Sequence, residues 1–136
     1  MRFCAVSYEN LIGLTAERES SVTEKNTALA LKSGSLKVLA TPEMIRLIEE
    51  TSAELVEKNL PPESTSVGIS LDIKHTAPTP VGMKFRAAVK IISVDGRKIV
   101  LEVVAFDESG EIGRGVHERF IVDRKKFQCK ADAKII

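Results

Sequence analysis

The segment TPEMIRLIEETSAELVEKNLPP, residues 41–62, decides the fold of this 136-residue chain. It opens with three features of a helix start: Thr41 offers an N-cap hydroxyl, Pro42 suits the first helical position, and Glu43 places an acid in the positive first turn. Apolar residues then recur at helical spacing until the paired prolines, while charged residues occupy the other side. The segment therefore predicts one long amphipathic helix over residues 41–60.

After this helix the pattern changes to an alternation of apolar and polar residues, which is typical of β-strands. Asp95-Gly96 separates two of the alternating runs, and this dipeptide favours a tight hairpin turn. Ser109-Gly110 precedes the last run. The predicted strands cover residues 67–73, 85–91, 99–105 and 112–122. An antiparallel sheet wrapped on one long helix is an α+β domain.

The two ends of the sequence are less regular. Residues 15–22 predict a strand, and residues 1–13 form an additional N-terminal segment. Thr23 is placed to cap a short helix over residues 24–32, with Gly34 at its C-terminal end. The basic run at residues 123–126 is interpreted as a solvent-exposed strand end, or alternatively as a contact for the phosphates of a nucleotide-bearing ligand.

Composition and charge exclude several classes of protein. Twenty Lys and Arg balance nineteen Asp and Glu, and the resulting net charge of +1 removes the electrostatic case for a dedicated nucleic-acid binder. The longest apolar runs are far too short for a membrane span, and no signal-peptide core is evident. Cys4 and Cys129 have neither metal-ligand spacing nor a disulfide framework. We therefore expect a cytoplasmic protein that holds no metal.

Two polar residues fall where the patterns demand apolar ones. On a helical wheel Glu49 lies beside the apolar face, and His75 continues the strand series that points to the core. Each has an ordinary structural explanation: a glutamate whose stem packs while its head reaches water, or a core histidine satisfied by a backbone carbonyl. Together they indicate a pair, because a buried carboxylate and a buried imidazole each need a partner. Such a pairing raises the basicity of the imidazole, which suits a general base.

Other residues keep two interpretations at the level of the sequence. The N-cap role explains Thr41 completely, but a hydroxyl beside a histidine also serves as a nucleophile or holds an attacking water. Gly68 interrupts a strand, which indicates a β-bulge or a close approach of a ligand to the backbone. Arg119 shares a strand face with two glycines and His117, and it either meets a substrate or faces solvent. His117 lacks a second ligand at metal spacing, so we expect it at the surface or at an interface.

Several of these residues lie in segments that resemble the fluoroacetyl-CoA thioesterase group of hot-dog proteins. The matching segments are VLATP at 38–42, the helix around IEE at 48–50, TSVG at 65–68 and HTAPTPVG at 75–82. The likeness runs from about residue 22 to about residue 122. Its most specific part is the combination of Ala-Thr-Pro, the helix glutamate and His-x-Ala-Pro-Thr-Pro-x-Gly at matching separations.

The resemblance implies a single hot-dog domain over residues 1–136 that acts at least as a dimer, with an acyl-thioester pocket at the subunit interface. It implies a catalytic triad of Thr41, Glu49 and His75, and it places Gly68 and Arg119 at the substrate site. The best-known member of the group closes its pocket with phenylalanines before the long helix, whereas residues 22–36 contain no aromatic residue here. We therefore expect a generic short or small acyl-CoA as substrate, with no cofactor beyond the coenzyme A that the substrate carries.

Two other functions remain open from the sequence. A hot-dog dimer without enzymatic activity would bind an acyl-CoA or a related small ligand, and Thr41 and Glu49 would then be replaceable. A hot-dog hydratase would need an Asp and a His close together on a loop after the helix, and no acid follows His75 within a few residues. The residues and the resemblance together favour an acyl-CoA thioesterase.

Overall fold

The computed structural model of the protein describes residues 7–135. One turn of 3₁₀ helix (Glu9–Leu11) is followed by β1 (Thr15–Ser21), α1 (Ala28–Leu31), α2 (Thr41–Glu57), β2 (Ser64–His75), β3 (Lys84–Asp95), β4 (Lys98–Asp107), β5 (Gly110–Asp123) and α3 (Arg124–Asp132). The five strands form one antiparallel sheet in the order β1-β3-β4-β5-β2, and this sheet packs against α2. The predicted α+β architecture is confirmed, as is the hairpin at Asp95-Gly96.

The core lies between the apolar face of α2 and the inner face of the sheet. Met44, Ile48 and Val56 of the helix are completely buried, as are Leu101 and Val103 of β4. Burying an apolar side chain of this size stabilises the fold by about 1.5–3 kcal/mol relative to leaving it exposed. The buried residues of α2 recur at helical spacing, and those of β4 recur at every second residue. Both periodicities are visible in the sequence.

Two helix boundaries differ from the prediction for local reasons. α2 ends at Glu57 rather than at residue 60, because the following residues are held by shorter-range bonds such as the one from the Leu60 N–H to the Glu57 carbonyl. α1 starts four residues later than predicted. The Asn26 side chain accepts a hydrogen bond from the Thr23 N–H and closes a turn, and the Thr27 hydroxyl then caps the helix by accepting from the Ala30 N–H.

The C-terminal basic run forms a helix instead of a strand end. Asp123 is the last residue of β5, and its carboxylate accepts a hydrogen bond from the Lys126 N–H, which caps α3. Cys129 lies exposed on α3 and forms no disulfide with any described residue. Cys4 lies outside the described residues, as do residues 1–6 of the predicted N-terminal segment. Within residues 7–135, no helix is long and apolar enough to cross a membrane.

A β-bulge in β2, between Gly68 and Ser70, reverses the alternation of this strand. Antiparallel partners share one face of a sheet, and Val67 pairs with the exposed Phe120 on the outer face. The prediction that Val67 and His75 share a face is therefore wrong, because the inserted residue shifts the register between them. His75 keeps its expected orientation toward α2, and the bulge at Gly68 is one of the two outcomes that the sequence indicated.

The outer side of β2 is a free edge of the sheet. β2 pairs with β5 alone among the described strands, and Ile69 and Leu71 along it are 50% and 44% exposed. Gly115 of β5 lets the two strands approach closely, because a Cβ at that position would lie 2.0 Å from the Asp72 carbonyl oxygen. A long edge with exposed apolar side chains favours pairing with another strand.

Candidate active site

The first residue of α2 contacts the last residue of β2. The Thr41 hydroxyl oxygen lies 2.8 Å from Nδ1 of His75. Thr41 does not cap the helix, because the N-cap is Ala40, whose carbonyl accepts the first hydrogen bonds of the helix. The predicted N-cap role of Thr41 is therefore wrong: the helix begins one residue earlier, and the hydroxyl is directed at the histidine ring instead of a backbone N–H.

The other ring nitrogen of His75, Nε2, is buried and has no hydrogen-bond partner among the described residues. Partial burial lowers the pKa of His75 below its usual value, and the nearby Ala77 backbone opposes this shift. Burial within the chain thus favours the neutral imidazole, the form in which a general base acts. When Nδ1 accepts the hydrogen bond from Thr41, Nε2 carries the ring proton and makes no hydrogen bond to any of residues 7–135.

A cavity of about 310 Å³ opens beside the Thr41–His75 pair. Its walls come from α1, from the segment that precedes α2 and from the segment that follows β2. Apart from the pair and Thr76, the lining consists of Ala28, Ser33, Val38, Leu39, Ala77 and Pro78. The lining is formed by small and aliphatic side chains and contains no aromatic residue. A cavity of this size lies at the lower end of the range for small-molecule sites.

Glu49 lies in a second polar cluster, farther along α2. Its carboxylate oxygen Oε2 is 3.7 Å from Nη1 of Arg119, and 41% of the Glu49 side chain is exposed. Gly68 makes room for this carboxylate, because a Cβ at residue 68 would lie 2.7 Å from the same oxygen. The charged partner of Glu49 within the chain is therefore Arg119, and not His75 as the sequence pattern indicated.

The predicted site residues form two separate groups in one chain. Glu49 follows Thr41 by eight residues, which places it about 12 Å farther along the helix axis. Thr41 is the helix residue that contacts His75. The structure thus brings Thr41 and His75 together at one end of β2, and it brings Glu49, Gly68 and Arg119 together near the bulge.

His117, which was expected at the surface or at an interface, is completely buried beside Arg119. The surface position is wrong because the ring of His117 lies on the inner face of the sheet, where it contacts the Ser70 carbonyl and Arg119. Burial lowers the pKa of His117, the Ser70 carbonyl opposes this shift, and the positive charge of Arg119 lowers the pKa further. The only signal in the sequence was the position of His117 two residues before Arg119, on the same strand face. Residues 7–135 contain no cluster of three His, Cys, Asp or Glu side chains that suits a metal ion.

Both polar clusters lie in the part of the chain that matches the model of a known protein family. The family model described as fluoroacetyl-CoA-specific thioesterase matches residues 22–125, a range that includes both clusters and the cavity lining. The chain belongs to this thioesterase family. It is therefore a thioester hydrolase, as the resemblance in the sequence implied.

Individual members and neighbours agree with this assignment to the thioesterase family. The fluoroacetyl-CoA thioesterase of Streptantibioticus cattleyicolor is 35% identical over 98 residues, which cover 72% of this chain and 70% of that protein. A solved structure of the fluoroacetyl-CoA thioesterase FlK has a TM-score of 0.86 and 29% identity, covering 92% of this chain and 97% of that one. A hot-dog-like protein from Thermanaerovibrio acidaminovorans, at 20% identity, has a TM-score of 0.88 and covers 96% of this chain and 98% of its own. The predicted hot-dog fold is confirmed.

Proposed function

We propose that the chain is a cytoplasmic, homodimeric acyl-CoA thioesterase for short or small acyl groups, in which Thr41, His75 and Glu49 form the catalytic site. The observation that carries this proposal is the 2.8 Å contact between the Thr41 hydroxyl oxygen and Nδ1 of His75 at the edge of a cavity. A relative adds support for the substrate class. One solved structure of FlK, 29% identical to this chain, is a threonine-to-serine variant in complex with acetyl-CoA.

The homodimer follows from the free edge of β2. Two copies of this strand, paired antiparallel about a two-fold axis near Leu71, would satisfy their exposed backbone groups and cover the apolar side chains along the edge. Antiparallel pairing sets the last residues of one β2 beside the first residues of the other. His75 of one subunit then lies near Gly68 of the partner subunit, and Gly68 is the residue over which Glu49 sits.

This arrangement supplies the acceptor that His75 lacks in one chain. Nε2 of His75 is buried without a hydrogen-bond partner among residues 7–135, while the Glu49 carboxylate is partly exposed and lies 3.7 Å from Nη1 of Arg119. We place Glu49 of the partner subunit against Nε2, where it would hold the ring in the tautomer that leaves Nδ1 free to accept a proton. Each dimer would then contain two sites, each built from both subunits.

The geometry supports attack by the Thr41 hydroxyl. In the tautomer with the proton on Nε2, the Thr41 hydroxyl donates to Nδ1 at 2.8 Å and Nε2 is assigned to Glu49, so neither ring nitrogen remains to activate a water in the first step. The Thr41 oxygen adds to the thioester carbonyl carbon while its proton passes to Nδ1. The tetrahedral intermediate then expels the coenzyme A thiolate, which takes the proton from Nδ1, and an acyl-threonine remains. Water hydrolyses this ester with the same nitrogen as base, which releases the acid and restores the threonine.

Two features near the site would assist the reacting carbonyl. The Thr41 backbone N–H, at the positive start of α2, makes no hydrogen bond to any described residue and can donate to the developing oxyanion. Gly68 and Arg119 flank Glu49, so in the dimer they would line the substrate site at the interface. The reaction draws on these side chains, on water and on the coenzyme A of the substrate, and the proposal includes no other cofactor.

The first prediction concerns the acyl group. The cavity beside Thr41 is small, and its lining contains no Phe, Tyr or Trp side chain that would pack against a fluorinated methyl group. We expect thiol release from acetyl-CoA and other short acyl-CoAs, with kcat/KM values for acetyl and fluoroacetyl substrates that differ by less than about 200-fold, since small apolar differences are worth only about 1–3 kcal/mol. Thiol release should be measured across a panel from acetyl- to long-chain and arylacetyl-CoA. Saturable binding of coenzyme A without turnover of any member would contradict the proposal and favour the non-enzymatic binding protein.

The second prediction concerns the pH dependence of the base. Burial lowers the pKa of His75 in the single chain, whereas a carboxylate against Nε2 favours the charged imidazolium and raises that pKa. A base works when it is deprotonated, so kcat/KM falls as the pH drops through this pKa. Glu49→Gln removes the charge, and we expect the acid limb of its kcat/KM–pH profile to move to lower pH than in the wild type.

The matched control for this profile is Glu50→Gln. Glu50 is the neighbouring carboxylate, but it lies in ion pairs with Arg18 and Arg46 at the helix surface. Its replacement should leave the acid limb unchanged. An unchanged limb in Glu49→Gln as well would argue against contact between Glu49 and His75 in the dimer.

A further inference from the structure

The Arg119 guanidinium is almost completely buried and is held at fixed positions by its surroundings. Nε donates to the Ser66 hydroxyl at 2.8 Å, and Nη2 donates to the Ser66 carbonyl at 3.0 Å. Nη1 lies between two acceptors: Nε2 of His117 at 3.2 Å and the Glu49 carboxylate at 3.7 Å. The distance to Glu49 is an ion-pair distance that is too long for a direct hydrogen bond.

The contacts of His117 determine its tautomer. Nδ1 lies 2.9 Å from the Ser70 carbonyl oxygen, which only accepts, so Nδ1 must carry the proton. Nε2 is then an unprotonated acceptor that faces an N–H of Arg119. A neutral His117 therefore donates to the Ser70 carbonyl at the bulge in β2 and accepts from the Arg119 guanidinium, which faces Glu49.

We propose that His117 is a positioning residue for Glu49, which it controls by restraining Nη1 of Arg119; this inference rests on the catalytic role proposed above for Glu49. A guanidinium without the His117 acceptor would be drawn toward the nearest carboxylate, because Arg and carboxylate form short, two-point hydrogen bonds when nothing prevents it. The Glu49 carboxylate would then be bound within its own subunit. The acceptor on His117 holds the Arg119 guanidinium at a distance from which it still attracts the Glu49 carboxylate. The carboxylate then remains free to contact His75 of the partner subunit.

Two amide substitutions separate the two contacts of the ring. In His117→Gln the side-chain oxygen reaches the position of Nε2 and can accept from Arg119, whereas the contact with the Ser70 carbonyl is lost. In His117→Asn the amide reaches the position of Nδ1 and can donate to Ser70, whereas Arg119 loses its acceptor. Both variants remove the buried ring, so the packing lost is of the same kind in each.

We expect His117→Gln to keep kcat within about threefold of the wild type, and His117→Asn to lower kcat by tenfold or more with KM within about threefold, as small misplacements of a catalytic group do. Steady-state thiol release from the preferred acyl-CoA measures both constants, and circular dichroism and size-exclusion chromatography confirm the folded assembly. Equal losses in the two variants would overturn the inference, because a purely structural ring does not distinguish them.

The two substitutions are also combined with Glu49→Gln. If His117 acts through Glu49, His117→Asn should lower kcat by less than about twofold in the Glu49→Gln background, since contacting residues are not additive. A full tenfold loss there would also overturn the inference. If Glu49→Gln alone leaves kcat unchanged, the proposed role of Glu49 fails. If Glu49→Gln lowers kcat but the two His117 variants have equal kcat values, only the positioning role of His117 fails.

Discussion

Replacing His75 with alanine is expected to lower kcat for thiol release by at least about a hundredfold, the size of a lost general base. The Nδ1 atom that lies 2.8 Å from the Thr41 hydroxyl disappears in this variant. No other described side chain makes a hydrogen bond to that hydroxyl, so nothing nearby replaces the base. The measurement is steady-state thiol release from the best substrate of the panel, with wild type and variant side by side.

The control for His75→Ala is Lys74→Ala. Lys74 is the adjacent residue of β2, its side chain points to the opposite face of the strand, and it is exposed. We expect this variant to retain wild-type kcat, and circular dichroism should show that both proteins are folded. A loss below about threefold in folded His75→Ala would remove His75 from the role of general base.

The second large effect is recovery of activity in a mixed dimer. The Glu49→Gln and His75→Ala homodimers should each retain only a small but measurable fraction of the wild-type kcat, because each lacks one catalytic residue in both of its sites. In a heterodimer of the two, one site combines Thr41 and His75 of the first subunit with Glu49 of the second, and this site is intact. Co-expression with two affinity tags isolates the heterodimer, which should show about half of the wild-type kcat per dimer, because one of the two symmetric sites works.

A second heterodimer serves as the control for this recovery. Thr41 and His75 lie in one subunit, in contact with each other. A heterodimer of Thr41→Ala and His75→Ala therefore has a defect in both sites, and we expect no recovery. If the Glu49→Gln and His75→Ala heterodimer also stays inactive, the site does not cross the interface in the proposed way, even if each residue is essential.

The sequence indicated Glu49 and His75 as unusual residues because each interrupts a regular pattern. The sequence did not indicate which residues Glu49 and His75 contact in the chain. The register shift at Gly68 changes which residues of β2 face the helix, and alternation along a strand contains no information on an inserted residue until the pairing with β5 is known. The same is true of His117, whose burial depends on contacts with the Ser70 carbonyl of β2 and with Arg119.

The sequence by itself determined the α+β architecture, the long helix from Thr41 and the hairpin at Asp95-Gly96. These features depend on interactions between residues close together in the chain, such as helical periodicity, strand alternation and turn chemistry. Only the tertiary structure decided that Thr41 contacts His75, 34 residues away, and that Glu49 pairs with Arg119. Such contacts depend on how the sheet wraps around α2, and that packing is set by the whole core at once and not by any local segment.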